Sequence, residues 1–248
     1  PEPIFLGPEA GTGNAYADNI FISRTNPYNP FGIDFISTGP DANLIFFGRR
    51  PIEGGTRVFN QEVDTGYIAT GFEGNFDLGE RKLYWDLNYA NSQNKAEQTN
   101  YGSYNIRRIA QALGPVDACN ADPNCVPLNY FGGQGAGGGT ITPEMLAYIQ
   151  PIIRDSSEQE LELYSANLTG DLFELPAGAL AFAAGYEYRE YSGSYQPDAL
   201  TVAGEYNGVP SLPTSGEYDV SEFYGELNAP IYESGASKLE LSLAGRYS

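Results

Sequence analysis

The sequence predicts an all-β protein, an antiparallel transmembrane β-barrel wall with long connecting loops and one short loop helix. Three observations predict it. Apolar and polar residues alternate with period two in three successive strand pairs. Each pair closes through a short turn, whereas the pairs are joined by far longer segments, the asymmetry of membrane barrels. The apolar face is built from Leu, Phe, Tyr, Ala and Gly rather than the Val and Ile of a soluble sheet core.

The first pair covers 65–90. Ile68, Phe72, Phe76 and Leu78 share one face while Glu73, Asn75 and Asp77 share the other. A turn at 79–81 leads to Leu83, Trp85, Leu87 and Tyr89, which alternate with Tyr84, Asp86, Asn88 and Ala90. The second pair covers 161–190. Tyr164, Ala166, Leu168 and Leu172 run to a turn at 175–178, and Leu180, Phe182, Ala184, Tyr186 and Tyr188 return. The third covers 219–247, with Phe223, Leu227 and Ala229 before a turn at 230–238 and Leu239, Leu241, Leu243 and Tyr247 after it. Aromatic residues near the strand ends, Phe76, Tyr89, Tyr164, Tyr188 and Tyr247, are placed as interfacial girdles.

The wet face offers Glu73, Asn75, Asp86, Asn88, Glu187, Arg189, Glu222, Glu226, Glu240 and Arg246. In a barrel these line the lumen, either as a solvated wall or as contacts to whatever fills it. A soluble β-sandwich also alternates, but it expects turns at both ends and no insertion as long as 91–160. Residues 1–64 read as loop and strand start, and 91–160 and 191–218 as long loops. Within the first, 1–43 is rich in Asn, Pro and Gly. Within the second, Thr142 caps, Pro143 opens and Glu144 favours the first turn of a helix over 141–150. Six glycines between Gly132 and Gly139 read as a hinge before it.

Composition narrows the function. Thirteen Lys and Arg against 32 Asp and Glu leave a net charge of −19, which repels phosphate backbones and argues against nucleic acid. No stretch approaches the about 18 apolar residues of a membrane helix. No signal peptide is visible at Pro1-Glu2-Pro3, so processing or truncation is expected to have removed one. Cys119 and Cys125, with Asn, Asp and Pro between them, read as a small disulfide loop; free thiols are the alternative. Asp117, Asn120, Asp122 and Asn124 bring oxygen ligands to the same turn, but the glycine and closing glutamate of a calcium loop are missing, so no metal is assigned.

No enzyme is expected. The chain has no His, and no Gly-x-Ser-x-Gly elbow or phosphate loop is present. Glu222 and Glu226 stand more than about 13 Å apart by strand rise, too far for a retaining glycosidase pair, which needs about 5–5.5 Å. No cofactor is implied. Tyr101, Tyr104, Tyr130, Phe131, Tyr195 and Tyr206 in the long loops are the ligand candidates, able to stack on sugar rings or aromatic chelates or simply to pack loop on loop.

Several stretches, in order, resemble the barrel of TonB-dependent outer-membrane receptors. They are Asn29-Pro-Phe-Gly, Phe47-Gly-Arg-Arg-Pro-Ile-Glu-Gly-Gly-Thr-Arg, Thr65-Gly-Tyr-Ile-Ala-Thr-Gly-Phe-Glu-Gly-Asn-Phe and Cys125-Val-Pro-Leu-Asn-Tyr-Phe-Gly-Gly with Ile141-Thr-Pro-Glu-Met-Leu. Further along come Ala183-Ala-Gly-Tyr-Glu-Tyr-Arg, Val220-Ser-Glu-Phe-Tyr-Gly-Glu-Leu-Asn-Ala-Pro-Ile and Leu243-Ala-Gly-Arg-Tyr-Ser. The resemblance implies part of a barrel of about 22 strands, a partial β-barrel domain over 1–248 with extracellular long loops and without its plug domain. It further implies import of a scarce small-molecule nutrient (siderophore, vitamin or saccharide) across the outer membrane. The implied partners are outer-membrane lipid, the protein's own plug and the TonB energy-transducing complex. A surface adhesion barrel without transport and a secreted carbohydrate-binding β-protein are the alternatives.

Overall fold

A computed structural model describes residues 1–133 and 139–248. The expected glycine hinge falls mostly on 134–138, outside the described residues. The chain forms two compact units, one of Pro1–Glu62, Ala96–Ser156 and Tyr195–Thr214, the other of Val63–Lys95, Ser157–Ser194 and Ser215–Ser248.

The first unit contains short elements. Strand β1 (Ile4–Leu6) pairs with β4 (Phe47–Arg49), and β2 (Phe21–Ile22) with β3 (Phe35–Ile36). Helices α1 (Ala15–Asp18), α2 (Ile106–Leu113), α3 (Val116–Asn120), α4 (Pro143–Ile149) and α5 (Ala199–Val202) pack with them. Helix α4 starts as expected, with the Thr142 hydroxyl accepting from the Met145 N–H and Pro143 opening the first turn. Ile4, Leu6, Ile20, Ile22, Ile106, Ile109, Leu113, Met145 and Ile149 form one buried cluster. Residues 1–43 are therefore not plain loop. Their short apolar pairs separated by Asn, Pro and Gly are too brief to register as strands, yet they supply Ile4, Leu6, Ala17, Ile20 and Ile22 to that core.

The second unit is one antiparallel sheet, ordered β10-β9-β8-β7-β6-β5, in which each strand neighbours the next in sequence. The sheet's strands are β5 (Val58–Leu78), β6 (Arg81–Tyr101), β7 (Ile153–Leu175), β8 (Gly178–Gln196), β9 (Thr214–Ser234) and β10 (Ser237–Tyr247), of which residues 58–62, 96–101, 153–156, 195–196 and 214 belong to the first unit. The short turns fall at 79–80, 176–177 and 235–236, and the first and last are permitted by Gly79 (φ 66°) and Gly235 (φ 60°). Five of the strands, of 19 to 23 residues, extend beyond the expected pairs. Pairing continues where both faces turn polar, and there the period-two signal vanishes although the ladder does not. The expected 230–238 turn is likewise tighter. Pro230, lacking an N–H, is absorbed inside β9 beside the register shift at Leu239/Glu240.

The sheet's apolar face is not a core. Phe72 is 70% exposed, Leu243 68% and Ile68 66%. Trp85 and Phe182 are only half-buried. A sandwich would bury this face against a second layer; here the described residues place almost the entire buried apolar cluster in the other unit. Leu83 is the buried exception, set against Gly170, where an added Cβ would meet its Cδ2 at 2.5 Å.

Candidate functional site

The polar face is organised by side-chain chains that cross strands. The Asn167 Nδ2 donates to Asp86 Oδ1 at 2.7 Å, and the Asn88 Nδ2 donates both to Asp86 Oδ1 and to Ser165 Oγ. Tyr224 donates to Asn167 Oδ1 at 2.7 Å. On the neighbouring strands, Glu222 accepts from Arg189 at 2.7 Å, from Arg246 and from the Ser248 hydroxyl at 2.6 Å, while Glu187 holds the far side of Arg189 at 3.0 Å. Six of the ten expected wet-face residues thus meet in two networks. Glu226 lies across from Ala244 on the same face, Glu240 pairs with Lys238, and Glu73 and Asn75 stand exposed on β5.

The apolar face changes character along each strand. On β6 it reads Leu83, Trp85, Leu87 and Tyr89, then Asn91, Gln93 and Lys95. On β7 it runs in the opposite sense, from Leu172 and Leu168 to Tyr164 and then Glu162, Glu160 and Glu158. The polar halves pair rung by rung: Tyr89 with Glu162 at 3.0 Å, Asn91 with Glu160 at 2.9 Å, and Gln93 with Glu158 at 2.6 Å. At the change-over a row of tyrosines crosses three strands, with Tyr89 and Tyr164 ring centroids 5.0 Å apart and Tyr164 and Tyr188 6.4 Å apart. Near the turns the face ends on the Arg81–Glu174 ion pair. On β8, Tyr188 gives way to Glu190 and Ser192; on β5, Ile68 gives way to Asp64 and Glu62.

In the first unit, the disulfide Cys119–Cys125 is formed, with Cα atoms 5.3 Å apart. The turn it closes consumes its own oxygens. Asp122 accepts from the Asn124 N–H at 3.0 Å and from Gln111 at 3.0 Å, and these bonds hold its carboxyl below the usual carboxylate value. Among the described residues no group of His, Cys, Asp and Glu is gathered around a metal-sized site.

The six aromatic ligand candidates separate by burial. Tyr104 and Tyr130 are core residues, 0% and 1% exposed. The Tyr130 hydroxyl donates to the Ile4 carbonyl at 2.8 Å, and burial pushes the Tyr104 hydroxyl up to about 12. Neither ring is offered to a ligand, because the loops they belong to fold into a compact unit. Tyr206 ties its hydroxyl to Ser103 at 3.0 Å. Tyr101 and Tyr195 are exposed. Phe131 borders a cavity, which Tyr130 also lines.

That cavity, of about 800 Å³, is an open cleft in the first unit. Its walls are Phe31, Phe35, Phe46, Phe47 and Phe131, with Ile33 and Leu44 between them. The rings form a box: Phe47–Phe131 centroids lie 5.2 Å apart, Phe31–Phe35 5.5 Å and Phe31–Phe131 5.8 Å. Phe47 and Phe131 lean on the core, whereas Phe31 is 63% exposed. One wall is Arg49-Arg50. Arg49 is buried and fixed, donating to the carbonyls of Asn129, Tyr130 and Gly132 at 2.9–3.1 Å and to Glu53 at 2.5 Å. Arg50 is exposed. Apart from Phe131 and Tyr130, none of these residues was a sequence candidate. The signal was present in the density of Phe between 31 and 47, but that stretch has no periodicity to mark it.

No helix among the described residues is long and apolar enough to cross a membrane, which leaves strands untouched. No protein-family model, curated protein or solved structure matches the chain.

Proposed function

We propose that this chain is part of the wall of an outer-membrane β-barrel receptor that takes up a small-molecule nutrient, with lipid against its apolar face and its long connections at the cell exterior. One observation carries the reading: the strands' alternating apolar face is uncovered, and it is bounded at both ends by polar pairs. From Arg81 to Asn91 the strand advances about 34 Å at about 3.4 Å per residue. A tilt of about 45° makes that about 24 Å along the membrane normal, against about 25 Å for the lipid-facing band of such barrels. The tyrosine row at one border matches an interfacial girdle in chemistry, each ring half apolar and each hydroxyl able to reach water.

The opposite face, polar and cross-linked by the Glu222 and Asp86 networks, suits a wetted lumen and a plug seated against it. Among the described residues the sheet ends on two edges, β5 and β10, and in lipid such edges must be closed by further strands. Uptake through a plug, driven by the TonB energy-transducing complex, rests on the family resemblance of the sequence. The test has two arms in the full-length protein. Fractionation and heat-modifiable migration are expected to place it in the outer membrane as a barrel. Energised uptake of a bound nutrient, abolished when TonB is removed, is expected of a receptor, whereas binding without uptake would identify an adhesion barrel instead.

A further inference from the structure

The wet face of the second unit carries a hollow that the Asp86 and Glu222 networks leave unused. It measures about 470 Å³ and lies on the strand halves beyond the tyrosine row. Asn94 of β6, Gln159 of β7, Tyr191 and Gly193 of β8, and Gly216 and Tyr218 of β9 line it. Glycine inside a strand costs stability, and here neither backbone geometry nor packing asks for it. Gly193 and Gly216 both lack a positive φ. A Cβ on Gly216 would meet nothing within 4 Å, and one on Gly193 would make only ordinary contacts, the nearest at 3.7 Å. Gly170 and Gly185 differ, because a side chain from the next strand fills the space at each. What Gly193 and Gly216 preserve is open space, as where a ligand approaches the backbone.

Tyr191 and Tyr218, two residues along each strand from these glycines, stack with centroids 5.0 Å apart and planes 18° apart. The rings touch, so nothing enters between them; together they form one apolar plate, on which Tyr218 is 61% exposed. Arg189 bonds the Tyr191 hydroxyl and helps hold that plate in place. The amides beside it are unspent. On the opposite face, Asn91 and Gln93 give their amides to Glu160 and Glu158, whereas among the described residues Asn94 and Gln159 make no side-chain hydrogen bond. The one charged residue among the described lining residues is Glu160, and Asn91 already holds it.

We infer that this hollow binds a neutral saccharide, a pyranose resting its C–H face on the outside of the Tyr191–Tyr218 plate over Gly193 and Gly216, with its hydroxyls bonded to Asn94 and Gln159. A pyranose has an apolar C–H face and a rim of hydroxyls that both donate and accept. Aromatic rings suit the face, and carboxamides, which carry donors and an acceptor together, suit the rim. Neutrality follows from charge. A chain with 32 Asp and Glu against 13 Lys and Arg repels anions, and the described lining residues include no cation to offset this. As the cargo class of the receptor this inference rests on the reading above; as a binding event it does not.

The test is calorimetric titration of the full-length protein in a sugar-free detergent, dodecyldimethylamine oxide, with maltotriose, cellotriose, mannotriose and the anionic trigalacturonate. The expected result is saturable one-to-one binding of at least one neutral trisaccharide, at least about tenfold tighter than trigalacturonate. Tyr218→Ala should weaken that binding about tenfold, the worth of one ring contact. Gly216→Val should abolish it, because the new side chain enters the hollow where its Cβ strikes no neighbour. Gln93→Ala, on the opposite face, should leave it unchanged, and circular dichroism verifies that all three variants fold. No saturable binding of any neutral probe, equal affinity for trigalacturonate, or indifference to both Tyr218→Ala and Gly216→Val would overturn the proposal. Saccharide binding in micelles without energised uptake in cells would leave the site standing and count against the receptor alone.

Discussion

The hydroxyl of Tyr224 reaches Asn167 Oδ1 at 2.7 Å by passing over Gly185, which lies on the strand between them. The Tyr224 ring packs so closely on Gly185 that a Cβ there would overlap its Cε1 and Cζ atoms. A residue without a side chain thus lets one tyrosine tie three strands together and join the Asn167–Asp86–Asn88 chain. Gly185→Val is expected to displace the ring and cost about 1–3 kcal/mol. Tyr224→Phe, which removes only the hydrogen bond, should cost about 0.5–1.5 kcal/mol. Urea unfolding of the two variants, singly and together, tests the relationship, since the double variant should cost little more than Gly185→Val alone.

The uncovered apolar face predicts a depth-dependent response to charge. Phe72→Arg and Leu87→Arg place a guanidinium within the band and should destabilise the protein in lipid vesicles by about 2–4 kcal/mol. Gln93→Arg, on the same face beyond the Tyr89 row, should cost about 0–1 kcal/mol. Phe72 is already exposed, so in a soluble protein its replacement by Arg would be near neutral.

A buried ion pair holds the arginine wall. The Arg49 and Glu53 side chains are each 7% exposed and meet at 2.5 Å. Arg49→Met leaves Glu53 buried without its cation and frees three carbonyls, so a loss of about 3–5 kcal/mol is expected. Glu53→Gln, which keeps an acceptor for Arg49, should cost less. Limited proteolysis within 129–132 reads the local effect, and denaturant midpoints read the global one.

Acidity should act on the first unit through Glu2. Burial pushes its carboxyl above the ordinary value of 4.5, although hydrogen bonds from Ser103, Arg57 and Asn207 and the Arg57 charge oppose the rise. A raised folded-state value means the folded chain holds this proton more tightly than the unfolded one. That stabilisation is complete below 4.5 and is lost as pH climbs through the raised value. Glu2→Gln should therefore gain stability relative to the parent between pH 4.5 and neutrality, seen as diverging urea midpoints; parallel midpoints would contradict it.

How much of this was legible depended on whether neighbouring faces differed. Where Phe72 alternates with Glu73, or Leu243 with Arg246, period two announced both the strand and its orientation. Where Asn91, Gln93 and Lys95 share their strand with Ser92 and Asn94, both faces are polar and the continuing strand reads as loop. The first unit was mostly hidden for another reason. Its core assembles from pairs such as Ile4 with Leu6 and Ile20 with Ile22, brought together by contacts distant in sequence. Helix α2 was an exception that periodicity could have found, with Ile106, Ile109 and Leu113 on one stripe behind Asn105, whose side chain accepts from the Arg108 N–H. The disulfide and the start of α4 were readable because turn residues and capping are local. The phenylalanine cleft was not, because its rings come from three separate segments.

The central claim is that alternate residues of the sheet meet lipid up to the tyrosine row and water beyond it. Both cysteines of this chain are bonded to each other, so single cysteines can carry nitroxide labels along β6 at Leu83, Trp85, Leu87, Asn91 and Gln93. Collision with oxygen should dominate from 83 to 87 in vesicles, and collision with a water-soluble nickel chelate should take over at 91 and 93. Chelate access along the whole series, or protection from both reagents, would contradict a lipid-facing wall.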